Sequence, residues 1–430
     1  MKKYKYLIVV LFLWLNVRSF AQLYMNPHSV AFANAYSTQA RGANVIGWNP
    51  ANLGLSGNPK FSMNFGFLPF LPFPSVQINN NAISPFRLNE RFFTGGYLDD
   101  EDKEELLAFF PDDGLNINTL VQMRLLEMSF GNWAFSVGSE VTGSVVFPKS
   151  LFHFVFFGNE FKKPLDLSNT NVEMQSVVTV ALAHGREVVI PYISDIVEQL
   201  SAGASIKALF GFGYAGSDKM DASTITFEDR IELDGDLEAK YGTGGFGMAF
   251  DIGLAAIINE KMSANISLNN LFGFLKWGLV EAEKVKYSYF MEIASEDFEY
   301  IDSLFEEGVQ TDTSFSIDSF SSNYPSYLLL GFQYEVLPNL SLYSNIRQCF
   351  SDDFASSYLP KVSFAAEYKS IIWLPLRAGI SFGGLEKFQW GIGSGLNFKN
   401  YSFNWGFSQI GGIFNYAKGF ALSFGQQITF

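Results

Sequence analysis

The sequence predicts an all-β fold, namely a transmembrane antiparallel up-and-down β-barrel of about 14 strands. Three observations lead to this prediction. Apolar residues alternate with polar or small residues over long segments, the N-terminus has the pattern of an export signal, and the last strand ends on an aromatic residue. We therefore expect the chain in the outer membrane of a Gram-negative cell.

The N-terminus has the three parts of a secretory signal peptide. A lysine-rich start is followed by the apolar run Leu7 to Leu15 and by the cleavage pattern Ser19-Phe20-Ala21. The apolar run is too short for a transmembrane helix, which needs about 20 residues. We predict a signal peptide at residues 1–21, an N-terminal segment at 22–58, and the barrel with long external loops at 59–430.

The composition favours a surface that faces lipid. Aromatic residues make up 17% of the chain and charged residues also 17%, whereas the average charged share is about 25%. A water-soluble protein that buried so many rings would still need a charged exterior, so outer-membrane lipid is the expected solvent of the apolar faces. The net charge of −14 argues against nucleic acid as a partner.

Two segments show the alternation most clearly. Apolar residues occupy every second position from Leu200 to Tyr214, with Leu209 as the one lapse, and again from Phe246 to Ile258. Strands of soluble sheets have about five or six residues, whereas a tilted strand needs roughly 9 to 11 residues to cross the hydrocarbon. Both segments therefore fit lipid-crossing strands, with glycines and polar residues on the lumen side.

The same pattern predicts fourteen strands along the chain, an even number, as bacterial barrels have. Their expected starts are Pro59, Leu120, Trp133, Asn171, Gln199, Gly245, Ser263, Ser326, Leu340, Lys361, Leu376, Phe388, Tyr401 and Ala421. With this count, the long connections around 68–119, 142–170, 215–244 and 278–325 all fall on one side. Barrels of the outer membrane have short periplasmic turns and long external loops, so the asymmetry supports the count.

The last strand carries a specific local signal. Apolar residues alternate from Phe420 to Phe430, and the chain stops on that aromatic residue. This ending resembles the C-terminal assembly signal of outer-membrane barrels. The barrel assembly machinery is therefore an expected partner.

Two external insertions have a character of their own. Asp99 or Asp100 can cap a short helix that ends near Phe110 and Pro111. The stretch from Glu296 to Asp318 holds eight acidic residues and no basic ones. A solvated, repulsive loop is the plain interpretation, and calcium binding through these carboxylates is the alternative.

Apparent catalytic motifs have plain explanations. Gly379-Ile380-Ser381-Phe382-Gly383 matches the GxSxG pattern, but its apolar residues continue a strand, and no histidine follows it in the chain. His28, His153 and His184 are far apart and form no metal-spaced pair. We predict no enzyme, no cofactor and no metal. A barrel enzyme that uses His153 or His184 as a base is a lesser alternative.

The segment before the first strand carries a family resemblance. It reads Ala40 to Gly54 and contains Asn49-Pro50-Ala51. Together with Asp251 in mid-strand, Asn269 to Gly273 and Leu376 to Ile380, it resembles the long-chain fatty-acid transporter family of the outer membrane and its relatives, over nearly the whole chain. The short motifs indicate a superfamily rather than one transporter.

The resemblance implies that residues 22–58 form an N-terminal hatch or plug segment, which fills the barrel from the periplasmic side. It also implies that hydrophobic cargo leaves sideways through a gap in the wall. It makes Asn49, Pro50 and Ala51 the hatch turn and candidate binding residues, because proline fixes φ and asparagine bonds to neighbouring backbone. The alternative is that these residues merely seal the pore.

The expected function is passive uptake of hydrophobic small molecules such as fatty acids. Phe67, Phe70 and Phe73 are candidate wall or gate residues, or else interfacial aromatics that anchor the barrel. Related barrels with the same hatch are attachment subunits of a protein secretion system. The long loops keep that alternative open, with secretion-system subunits as partners.

Overall fold

The computed structural model describes residues 24–65, 74–89, 98–158, 160–168, 170–191, 196–294, 309–350 and 357–430. Its strands form one antiparallel sheet that closes on itself. The strands are β1 (Phe61–Phe65), β2 (Ser75–Asn80), β3 (Leu115–Phe130), β4 (Trp133–Phe147), β5 (Leu165–Asp166), β6 (Asn171–Glu187), β7 (Gln199–Thr226), β8 (Arg230–Asn259), β9 (Met262–Trp277), β10 (Glu281–Ala294), β11 (Val309–Ser316), β12 (Phe320–Asn323), β13 (Tyr327–Leu337), β14 (Leu340–Cys349), β15 (Lys361–Tyr368), β16 (Leu376–Gly383), β17 (Phe388–Phe398), β18 (Tyr401–Ile410) and β19 (Gly419–Thr429).

The described strands give the barrel wall 14 positions. β1 and β2 share one position, because both pair with β19 on one side and with β3 on the other. The wall then runs through β3, β4, β6, β7, β8, β9 and β13 to β19, each paired with the next. Because the ring is closed, it has no open edge. A sheet in hydrocarbon needs this closure, since unpaired backbone groups at an open edge would be costly there. The predicted fold class and strand count are confirmed.

Eight of the predicted strand starts coincide with the observed first residues. They are Trp133, Asn171, Gln199, Leu340, Lys361, Leu376, Phe388 and Tyr401. The predicted first strand from Pro59 is corrected in part, since its wall position is divided between β1 and β2. The predicted start at Gly245 is also corrected, because β8 begins at Arg230.

The long connections are more structured than the sequence predicted. Residues 215–244 form the end of β7 and the start of β8, which continue as a hairpin, and β10 and β11 extend this sheet. Residues 278–325 include β10, β11 and β12, while 68–119 include β2. Backbone pairing continues here with charged residues on the strands, so apolar alternation does not mark these parts.

Four short α-helices lie outside the wall strands in the described part of the chain. They are α1 (Pro27–Ala31), α2 (Pro85–Leu88), α3 (Asp100–Ala108) and α4 (Lys149–Phe157). The predicted helix near residue 100 is α3, and the Asp99 carboxylate caps it by accepting from Asp102 N at 2.9 Å. Residues 296–307 of the acidic stretch lie outside the described residues, and 309–316 form β11.

Among the described residues, no helix is long and apolar enough to cross a membrane.

The two faces of the wall differ as the alternation predicted. In β8, Phe246, Ile252 and Leu254 are more than two-fifths exposed on the outside, whereas Asp251 is completely buried on the inside. Fully buried Ser201, Ser408 and Gln389 show the same polar interior in β7, β18 and β17. The barrel therefore has an apolar exterior and a largely polar lining.

Candidate functional site in the barrel lumen

The N-terminal segment, residues 24–58, lies inside the barrel and meets the wall on several sides. α1 packs against β16, β17, β18 and β19. A one-turn helix at Gly42–Val45 contacts β1, β3 and β4, and another at Pro50–Gly54 contacts β6, β7 and β8. The segment thus crosses the lumen between opposite parts of the wall.

The predicted hatch turn is hydrogen-bonded to the wall. Asn49 is fully buried, and its Nδ2 donates to the carbonyl oxygens of Leu254 and Ile266, at 3.1 Å each. Its Oδ1 accepts from Ala51 N at 2.9 Å, which caps the turn that Pro50 begins. One asparagine side chain therefore fixes its own turn and bridges β8 to β9.

Wall glycines allow the segment to approach this closely. Gly203 faces the backbone of Pro50 and Ala51, and Gly253 faces the Asn49 side chain, so that a methyl group at either position would overlap the segment. Gly331, Gly379 and Gly406 face other parts of the segment in the same way. Alternation marked Gly203 and Gly253 only as small lumen-facing residues, because a sequence does not show which of them has a neighbour.

An apolar cluster occupies the lumen nearer the end with the long connections, and we call it the upper cluster. Its rings contact one another, with Tyr214 centred 5.0 Å from Phe320 and 5.7 Å from Trp277. The members are Val177, Leu209, Ala249, Leu275, Trp277 and Tyr324, with Tyr214 and Phe320 packed against them. Leu209, the apparent lapse in the alternation, is fully buried here because it points inward.

The alternation from Leu200 to Tyr214 predicted that Tyr214 faces the lipid, and this prediction is wrong. The ladder between β6 and β7 shifts register between Ser176 and Val177, which pair with Gly213 and Gly211 and leave Phe212 as the extra residue. A bulge of one residue reverses the faces beyond it. Tyr214 therefore points into the lumen, while Phe212 is 65% exposed.

Two hydrogen bonds fix rings of the upper cluster, one to β12 and one to the wall strand β4. Trp277 Nε1 donates to Ser322 Oγ, and Tyr324 Oη donates to Glu140 Oε1, both at 2.7 Å. A small cavity of about 50 Å³ lies between Tyr324 and residues Ile46 and Gly47 of the N-terminal segment. The two filled regions of the lumen thus nearly meet.

Asp251 and the Asn269 to Gly273 motif, which carried part of the resemblance, come together in the wall. Asp251 Oδ1 lies 2.8 Å from Lys207 Nζ and accepts from Asn270 N at 2.8 Å. Lys207 also donates to Asn270 Oδ1 at 2.6 Å. Asn270 and Phe272 have φ near +57° and +55°, so this buried ion pair supports an irregular stretch of β9.

The candidate residues Phe67, Phe70 and Phe73 lie outside the described residues. They belong to the connection between β1 and β2, which share one wall position. The apparent hydrolase serine, Ser381, lies within β16 and not at a strand-to-helix turn. Its neighbours in the motif continue that strand, as the sequence predicted.

Comparison with solved structures shows the same fold in transport channels. The Ralstonia pickettii toluene transporter TbuX superposes with a TM-score of 0.51 and 14% identity, covering 95% of this chain and 99% of that one. The CymD monoaromatic hydrocarbon channel gives a TM-score of 0.51 and 12% identity, covering 96% and 99%. The expected likeness to barrels of the fatty-acid transporter type is confirmed at the level of the fold, and these neighbours are channels, not enzymes.

Sequence comparison gives a family. No curated protein matches the chain. The model of a family described as "Family of unknown function (DUF5723)" matches residues 57–244 and 228–407, which together span most of the chain. The chain therefore belongs to this family.

Proposed function

We propose that the protein is an outer-membrane channel for passive uptake of hydrophobic small molecules. The observation that carries the proposal is the upper cluster, because the interior of a water-filled porin is polar. Trp277, Leu275 and Leu209 are fully buried in this cluster, so a ligand would enter by replacing contacts between these side chains, and an apolar ligand would restore apolar contacts that ions and sugars do not. The names of the two neighbours, a toluene transporter and a monoaromatic hydrocarbon channel, agree with such a ligand.

The exposed outer face supports a position in the membrane. Side chains such as Phe332, Phe364 and Phe382 are exposed on the outside of the wall and would be solvated by acyl chains. We propose the orientation of other outer-membrane barrels, in which the short turns lie in the periplasm and the long connections lie outside the cell. Residues 1–21 would direct export, and the strand ending in Phe430 would be read by the assembly machinery.

Ligand entry is proposed at the outside end. α3 and α4 pack together there, with the rings of Phe110 and Phe152 stacked 3.9 Å apart. Beside them a pocket of about 270 Å³ is lined by Leu107, Phe154 and Leu165, among others. Polar and charged residues such as Lys149, His153 and Glu160 also line this pocket, and its apolar side chains would collect a ligand before it reaches the upper cluster.

Passage then requires movement of the N-terminal segment. Asn49 bonds the hatch turn to β8 and β9, and the carbonyl oxygen of Ala51 accepts from Ser201 Oγ of β7 at 2.6 Å. A rearrangement of this turn, together with the other wall contacts of the segment, would open the lower lumen. Fatty acids and small aromatic compounds are both candidate ligands. Phe67, Phe70 and Phe73 remain candidate gate residues of the wall.

The test is uptake by cells that lack the gene, complemented with the wild-type protein or with Leu209→Asp. We expect labelled toluene or a long-chain fatty acid to enter more slowly without the protein. The aspartate should also slow uptake, because it places a charge inside the upper cluster. Leu376→Asp, at a half-exposed outer position near the short turns, is a control for effects on assembly.

A second candidate function is a barrel subunit of a protein secretion or attachment system. The observation in its favour is the sheet extension of β7, β8, β10 and β11, which presents an ordered surface beyond the wall. Normal ligand uptake with lost export of surface proteins in the deletion strain would reject the channel and support this candidate.

A further inference from the structure

A further cavity lies at the end with the short turns, away from the upper cluster. It measures about 500 Å³ and is bounded by the N-terminal segment and by the turns after β15 and β17. We call it the vestibule. Its charged or titratable lining residues include His28, Arg41, Glu367, Lys369, Arg377 and Lys399.

The single carboxylate among these residues is already neutralised. Glu367 Oε1 accepts from Arg377 Nε at 2.9 Å, and Oε2 lies 2.7 Å from Lys369 Nζ. Oε2 also accepts from Gln39 Nε2 at 2.6 Å. Both oxygens are therefore occupied, and Glu367 has little capacity left for another cation.

Two cations of the vestibule face no carboxylate within the part of the chain that the structure describes. Arg41 donates from Nη1 to the carbonyl oxygens of Thr38 at 2.8 Å and Ala40 at 2.9 Å, which carry no net charge. Lys399 is exposed in the turn between β17 and β18. In a chain of net charge −14, four cations around one paired carboxylate are a local reversal of sign.

The positive charges of the vestibule also lower the pKa of His28. Burial and the positive charges of Arg377 and Lys369 hold the pKa of His28 well below its ordinary value.

We propose that the vestibule binds an anionic phosphate group, as carried by a lipid headgroup or by a soluble phosphate. A phosphate presents oxygens in several directions, so the segment and two turns can contact it together, and an arginine such as Arg41 can bind it with two donors. Exposed Ile372 and Phe398 border the same cavity. These apolar neighbours favour a lipid as the source, because its acyl chains would lie against them.

The test uses the full processed protein and two probes. In one arm, native mass spectrometry measures phosphatidylglycerol retained from nanodiscs that contain it in phosphatidylcholine. In the other, calorimetry measures inorganic phosphate binding in a neutral detergent. The variant is Arg41→Gln with Lys399→Gln, and Lys261→Gln in the short turn after β8 is the matched control, since Lys261 is exposed and does not line the vestibule.

We expect the double variant to weaken binding about tenfold for each cation removed, the size of one charge-assisted hydrogen bond, and the control to bind like the wild type. Loss in the lipid arm alone identifies a headgroup, and loss in the phosphate arm alone identifies a soluble phosphate. The single variant Lys399→Gln should still weaken binding about tenfold. It leaves the N-terminal segment unchanged, so its effect cannot come from a disturbance of that segment by the Arg41 substitution. Equal binding by wild type and variants, or no binding in either arm, overturns the proposal whatever the outcome of the uptake test.

Discussion

The two halves of the lumen are filled in different ways. Near the short turns, the N-terminal segment is held by backbone contacts with wall glycines and by side-chain hydrogen bonds such as those of Asn49. Nearer the long connections, apolar rings from the wall strands and from β12 and Tyr324 pack together around Trp277. The lower half depends on directional bonds between two parts of the chain, and the upper half on burial of apolar area.

This difference assigns different tasks to the two halves. Directional bonds hold one position and are lost together when the segment moves, so the lower half is suited to closing the lumen. Apolar packing has no required direction and is suited to contact with varied apolar ligands. Substitutions in each half should therefore change different properties of the barrel.

The largest effect is expected for Trp277→Ala in the upper half. Loss of a buried tryptophan typically costs about 3–5 kcal/mol, and unfolding in detergent should shift accordingly. Ion conductance in planar bilayers should stay low, because the N-terminal segment still closes the lower half. Trp373→Ala, at a half-exposed tryptophan of a turn, is the control. A large rise in conductance for Trp277→Ala would contradict the division of tasks.

Gly203→Ala should disrupt the packing of the N-terminal segment against the wall in the lower half of the lumen. Its methyl group would overlap the backbone of Ala51 and displace the segment, at a cost of about 1–3 kcal/mol for an overpacked site. Conductance should rise, and proteases added from the short-turn side should cut the segment faster. Gly213→Ala is the matched control, because it adds the same methyl group on the same strand but nothing lies within 4 Å of it. Identical behaviour of the two variants would show that close approach at Gly203 is unimportant.

Asn49→Ala tests whether the N-terminal segment is anchored by its bonds to the wall or by bonds within the segment itself. It removes two hydrogen bonds to the wall, worth about 1 kcal/mol each, so that conductance should rise while the barrel stays folded. Asn52→Ala is the comparison, because Asn52 is equally buried but donates to Ser37 and Ala40 of the segment itself. If Asn52→Ala opens the channel as much as Asn49→Ala, the bonds to the wall are not the anchor.

The smallest effect is expected outside the lumen, in the sheet extension. Ion pairs with Lys284 and Lys286 lower the pKa of Glu238 from 4.5 to about 2. Because the folded pKa lies below the unfolded one, the stabilisation is present above pH 4.5 and is lost as the pH falls towards 2. Protease resistance of this sheet should be constant from pH 7 to about 5 and decline below, and Glu238→Gln should flatten that decline. A decline that begins near neutral pH would point to another group.

Part of the lumen was predictable from local patterns. Asn49-Pro50-Ala51 was identified as a turn of a segment inside the barrel, and the structure places it there, although its role in binding remains a proposal. The sequence predicted no residue of the upper cluster as part of a binding site. Its members come from β6, β7, β8, β9 and β12, together with Tyr324, and no local pattern links them.

The sequence by itself determined the barrel class, the number of wall strands and most of their starts. The physical reason is that one lipid-facing and one lumen-facing side impose alternation on each strand locally. Tertiary structure decided the inward position of Tyr214, the pairing of charged residues in the sheet extension and the glycines that meet the N-terminal segment. A bulge, a register and a close approach each depend on a partner distant in sequence, which the residues of one strand do not specify.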